Sequence, residues 1–241
     1  MRVFFSDIID WLKVIEMFNI LENKKWCACG DSFTHGDFTG LNEEEKYLKD
    51  GKYQGEYCVY PYIIGNRNHM DIVMNAYNGA TMAECDREYD QTFIRGHYKD
   101  IPLDTDYITL CFGINDWHQN VPIGIEDSKD ITTFNGAWNV CMDYLLENYP
   151  YAHIGIIVTN GSTKPYTDAT IEVAIRYGIP YLDMVNDCKV PLMHRVDREG
   201  VLDKVKDIRM KNFTVSESNR HPNPQAHLYE SSFIENFLRS I

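Results

Sequence analysis

The 241-residue chain has no run approaching the ~20 apolar residues that a membrane-spanning helix needs. It also lacks any lysine- or arginine-rich run: 23 basic residues face 36 acidic ones, for a formal net charge of −13. Binding to a phosphate backbone is therefore not expected, and the acidity reads as solubility. The seven cysteines, at positions 27, 29, 58, 85, 111, 141 and 188, form an odd and scattered set. Several lie in apolar runs, where a free thiol behaves as a small hydrophobe, so a disulfide framework is not expected. Cys27 and Cys29 share a strand face, but no Cys/His pair at ligand spacing accompanies them, which argues against zinc. Internal repeats and low-complexity linkers are missing too. Near the start, Arg2 and Val3-Phe4-Phe5 are interrupted by Asp7 and Asp10, which is not the layout of a secretory signal. The expectation is a chain made in and retained by the cytoplasm.

What is present is an alternation of strand and helix patterns. Trp26 to Cys29, Asp71 to Met74, Tyr107 to Phe112, Ile154 to Thr159 and Ile179 to Met184 are short apolar runs of the kind shown by parallel strands buried on both faces. Phe134, Trp138, Cys141 and Leu145 recur at helical spacing before Asn148 and Pro150 end the element. A second helix is expected from Thr167 to Tyr177 with Gly178 just past its end. A last one starts near Pro224 and carries Leu228, Phe233 and Phe237 toward the core. The alternation predicts an α/β fold, a three-layer α/β/α sandwich around a parallel sheet. Ile8, Leu12, Ile15 and Phe18 make an amphipathic stripe, so residues 1–24 are expected to be a helical appendage to a domain of residues 25–241.

Three segments far apart in the chain carry the chemistry: Gly30-Asp31-Ser32, Gly113-Ile114-Asn115-Asp116 and His221-Pro222-Asn223. They offer a hydroxyl nucleophile, an imidazole to take its proton and an amide donor for an oxyanion, which is the inventory of acyl transfer by an activated serine. Ser32 follows the first strand, Asn115 the third, and His221 precedes the closing helix. In open parallel sheets, ligands bind beyond the carboxyl ends of the strands, so these positions can converge on one edge. Asp31 and Asp116 read as structural groups that bond loop amides. His227, lying within the last helix, is a weaker base candidate than His221. His35, His118 and Trp117 lie close enough in sequence to motif residues to watch, the last as a wall of the acyl pocket.

These segments resemble the blocks of the SGNH hydrolases, the GDSL-type esterases and lipases. Cys27 to Gly36 is similar to the first block, Phe112 to Asp116 to the third and His221 to His227 to the last. Asn75 to Thr81 resembles the second block with a one-residue slip, which points to Gly79. The resemblance implies five strands in flavodoxin-like order, Ser32 and His221 as catalytic residues, and an oxyanion hole of Ser32, Gly79 and Asn115. It implies hydrolysis of an ester with no metal or other cofactor. The family's aspartate, three residues before the histidine, is replaced here by Ser218. Glu217, a backbone carbonyl or Ser218 itself are the alternatives for orienting His221, and a Ser–His dyad is another.

Two polar insertions, Asp37 to Tyr57 and Val185 to Glu217, are expected to rim the pocket. The first is acidic and tyrosine-rich and offers no apolar lid, which favours a small acyl group, acetyl, on a carbohydrate over a long-chain lipid. A thioesterase or phospholipase is an alternative, as is a non-catalytic carbohydrate-binding or virion-attachment module. Polysaccharide esterases act outside cells, so a chain without a signal fits release by lysis, as from a phage, or a role on intracellular sugars.

Overall fold

The computed structural model describes residues 19–86, 91–158, 164–185, 208 and 211–241. The stripe from Ile8 to Phe18, Cys188 and most of the second insertion lie outside the described residues. Five strands, β1 (Lys25–Gly30), β2 (Asp71–Ala76), β3 (Tyr107–Cys111), β4 (His153–Val158) and β5 (Tyr181–Asp183), form one parallel sheet in the order β2-β1-β3-β4-β5. This is the flavodoxin-like order, and each predicted strand is found within two residues of its expected ends or closer.

Alternation along β1 sorts the two faces of the sheet. Cys27 and Cys29 join Ile108, Leu110 and Ile156 in a core covered by helices α5 (Phe134–Asn148) and α6 (Lys164–Tyr177). Trp26 and Ala28 face the opposite layer, where α3 (Tyr60–Asn68) and α7 (Pro224–Leu238) pack through Tyr60, Ile64, Ile234 and Leu238. The indole N–H of buried Trp26 donates to Thr109 Oγ1 at 3.0 Å, so the ring costs no unmade hydrogen bond. Arg67 of α3 donates to Glu235 of α7 at 2.6 Å and locks the two helices of that layer together.

The last helix corrects one expectation. Its inner face is Ala226, His227, Glu230, Ser231, Ile234, Phe237 and Leu238, while Leu228 is 45% exposed and Phe233 only half-buried. Two ionisable residues, His227 and Glu230, occupy inward positions that an apolar pattern would have given to leucine. Leu228 instead lines a surface cavity of about 390 Å³ with Leu48, Cys58 and Ile63.

Candidate active site

Ser32 enters the site through α1 (Ser32–His35), a single turn that begins where β1 ends. Asp31 caps it: its carboxyl Oδ1 accepts the Phe33 N–H at 2.9 Å. Gly30 is required by close approach, because a Cβ there would stand 2.3 Å from Thr34 Oγ1 and 3.0 Å from the Cys111 carbonyl. Thr34 in turn meets the Tyr60 hydroxyl at 2.9 Å, which anchors the turn to α3. Ser32 is 4% exposed. Asp31 is buried and holds its proton unusually firmly, its pKa pushed up to about 8 by burial, with the nearby Asp116 adding to the rise.

The second and third segments are stapled to each other. Gly79 has φ +82°, a conformation that favours glycine, in a turn closed by Ala80 N–H to the Tyr77 carbonyl at 3.1 Å. From the first turn of α4 (Ile114–His118), Asn115 Nδ2 donates to the Ala80 carbonyl at 2.9 Å. The Asp116 carboxylate accepts the Met82 and Ala83 N–H groups at 3.0 and 2.9 Å. Asp31 and Asp116 therefore both bond loop amides, as read from the sequence, and the loop after β2 is fixed against the end of β3.

His221 arrives on a loop that doubles back on itself. Val215 N–H donates to the His221 carbonyl at 3.0 Å, and Asn223 N–H to the Phe213 carbonyl at 3.1 Å. Asn223 then caps α7 through the Ala226 N–H at 2.9 Å, with Pro224 in the first turn. This delivers His221 Nε2 to 2.8 Å from Ser32 Oγ.

The partner of the other ring nitrogen is Asn219, whose Oδ1 lies 2.6 Å from His221 Nδ1. Of the alternatives raised from the sequence, the two side chains, Glu217 and Ser218, are both exposed, and Ser218 Oγ meets Ser216 Oγ at 3.1 Å. The amide orientation of Asn219 is fixed from both ends. Its Oδ1 faces the His221 backbone N–H at 3.2 Å, a group that can only donate. Its Nδ2 faces the carbonyls of Asp37 and Thr39 at 3.3 and 3.1 Å, which can only accept. Nδ1 must then carry the proton, and Nε2 presents a lone pair to the Ser32 hydroxyl. Asp37 Oδ2 stands 3.8 Å from Nδ1, too far for a hydrogen bond but close enough to act as a charge.

Burial lowers the His221 pKa below its ordinary value; the Asp37 charge opposes that and His118 reinforces it. For Asp37, burial works upward, but hydrogen bonds from Thr39 and the field of His221 outweigh it, and the carboxyl sits below its usual range. His35 packs edge-on against Tyr57, and Trp117 and His118 pack together, ring centroids 4.3 Å apart, beside Asn115. Among the described residues no group of three His, Cys, Asp or Glu side chains is placed to hold a metal, and no helix is long and apolar enough to cross a membrane.

The family model for GDSL-like lipase/acylhydrolase matches residues 58–200, more than half of the chain. The chain belongs to that family. The matched stretch holds Gly79 and Asn115, while Ser32 and His221 lie on either side of it. No curated protein matches the chain in sequence. Among solved structures, a Lactobacillus plantarum protein is 23% identical with a TM-score of 0.66, the likeness covering 91% of this chain and 98% of that one. A candidate GDSL-like lipase from Bacteroides uniformis is 20% identical with a TM-score of 0.63, covering 91% and 97%. An active-site mutant of a family two carbohydrate esterase from Clostridium thermocellum is 15% identical with a TM-score of 0.54, covering 90% of this chain and 63% of the other. At these identities the likenesses speak to the fold, and they share the α/β architecture built above.

Proposed function

We propose that this member of the GDSL-like family is a serine esterase that hydrolyses carboxylic esters through an acyl-enzyme, with acetyl groups on carbohydrate as its substrate. The observation that carries the reading is the 2.8 Å contact between Ser32 Oγ and an unprotonated His221 Nε2. His221 takes the hydroxyl proton as Oγ attacks the ester carbonyl, and returns it to the leaving alcohol. The Ser32 and Gly79 backbone N–H groups and Asn115 Nδ2 hold the tetrahedral oxyanion. One Nδ2 hydrogen of Asn115 is committed to the Ala80 carbonyl, which aims the second. Water activated by the same imidazole then releases the acid.

Support for a small acyl group on a sugar comes from the rim. The insertion after α1 places exposed Glu43, Glu44 and Glu45 on the short helix α2 (Glu43–Lys46) and packs the half-buried rings of Tyr47 and Tyr57 against each other, centroids 5.2 Å apart. Trp117, 36% exposed, adds an aromatic face on the Asn115 side. Aromatic faces among polar groups suit sugars, and the fold likeness to a carbohydrate esterase is in keeping with this. The test is hydrolysis of p-nitrophenyl acetate, butyrate and octanoate beside an acetylated polysaccharide. Acetate is expected to exceed octanoate at least about tenfold, since a polar rim repays little of the ~0.8 kcal/mol available per buried CH₂. A preference for octanoate would replace this reading with a lipase; no turnover of any ester would replace it with a non-catalytic carbohydrate-binding module.

A further inference from the structure

We propose that Asn219 and Asp37 divide between them the work of a triad carboxylate, Asn219 fixing the tautomer of His221 and Asp37 stabilising its protonated form. The inference rests on the esterase reading, and it concerns two positioning residues that do not touch the substrate. A carboxylate beside a catalytic imidazole does two things: it accepts the Nδ1–H, and it offsets the positive charge that forms when the ring takes the serine proton. Here a neutral amide oxygen does the first, at 2.6 Å. The charge comes from Asp37, 3.8 Å from Nδ1 and on the loop that follows the nucleophile rather than the loop that carries the histidine. The two are linked, since Asn219 Nδ2 also lies 3.4 Å from Asp37 Oδ1. As the ring becomes positive, the chain Asp37, Asn219, His221, Ser32 is polarised in one direction throughout.

Alternatives for the charge are few among the described groups around the ring. Of the other titratable side chains near the ring, His118 of α4 opposes protonation of His221, and His227 of α7 is itself held neutral by burial and by the charge of His221. Phe33 contributes only its ring, 5.9 Å from that of His221. Asp37 also accepts the Thr39 N–H at 3.1 Å, so a purely architectural role for it has to be separated from an electrostatic one. Asparagine at position 37 keeps that acceptor and removes the charge.

The experiment follows His221 by ¹⁵N and ¹³C NMR across pH in the full chain, with kcat and KM for p-nitrophenyl acetate measured alongside. Asp37→Asn is expected to lower the His221 pKa by about one unit and kcat about tenfold, with KM little changed. Asn219→Ala is expected to abolish the preference for the Nδ1–H tautomer and to lower kcat about a hundredfold. An unchanged His221 pKa in Asp37→Asn, or an unchanged tautomer in Asn219→Ala, would overturn the division of labour. The NMR readout needs no turnover, so a chain that cleaves no ester would remove the esterase reading while still deciding how His221 is held.

Discussion

Ser32 Oγ and His221 Nε2 lie 2.8 Å apart although 189 positions separate them in the chain. The first is set by the end of β1 and the second by the loop entering α7, so the pair forms only when the sheet and its last helix have docked. An organophosphonate probe should therefore label Ser32 in the folded chain, one adduct per molecule. Ser32→Ala should lose both labelling and ester turnover with an unchanged melting temperature. Labelling at a different serine would remove the mechanism.

Asn115 is expected to act on the transition state. With Nδ2 anchored to the Ala80 carbonyl, its remaining hydrogen is preorganised for an oxyanion, and such donors are worth about 10²–10³ in kcat. Asn115→Ala should show that loss in kcat with little change in KM. A variant within threefold of wild type would leave Asn115 as no more than the tie between α4 and the Gly79–Ala80 turn.

The strands, and the convergence of Ser32, Asn115 and His221 on one edge, could be read from the chain because strands buried on both faces announce themselves as apolar runs and strand ends fix where loops converge, whereas the sheet order and Gly79 came from the resemblance to the SGNH hydrolases. The edge strand was less clear: Pro180 has no N–H to give a ladder, and β5 is confined to Tyr181–Asp183. Periodicity misdirected Leu228, since buried His227 and Glu230 occupy its expected face. The group that orients His221 was hidden for a different reason. The family resemblance pointed to the position three residues upstream, whereas the turn closed by Ser216 N–H on the Asn219 carbonyl at 2.9 Å brings the position two upstream onto Nδ1. Asp37, on another loop entirely, carried no sequence signal beyond being acidic and near the nucleophile.

His227 should make the fold acid-sensitive. Burial pushes its pKa down to about 3, and the charge of His221 adds to the effect. Between the ordinary value of 6.5 and about 3 the unfolded chain binds a proton at this site and the folded chain does not. Stability from this site is thus complete above pH 6.5 and drains as pH falls through that window. The ring stacks on Tyr60 and meets Phe38 edge-on, with neither nitrogen hydrogen-bonded to a described residue. His227→Phe should accordingly unfold at a higher temperature than wild type at pH 4.5, by a margin that shrinks toward pH 7. A constant offset across that range would show that His227 does not titrate on unfolding.

Asp31 should produce the opposite slope at the other end of the scale. Its folded pKa of about 8, against 3.8 for the ordinary carboxyl, keeps it protonated in the fold through neutral pH while the unfolded chain is ionised. The folded state then binds one proton more than the unfolded state, so stability falls as pH rises from about 4 to 8, by up to about 1.4 kcal/mol per unit from this site alone. Asparagine matches the protonated carboxyl in shape and keeps an oxygen to accept the Phe33 N–H. Thermal unfolding of Asp31→Asn and wild type between pH 4 and 8 should therefore give curves that nearly meet at pH 4 and diverge toward pH 8, with the variant the more stable. Parallel curves would mean that Asp31 is ionised in the folded chain, and that the N–H groups around the nucleophile turn stabilise the carboxylate more than burial opposes it.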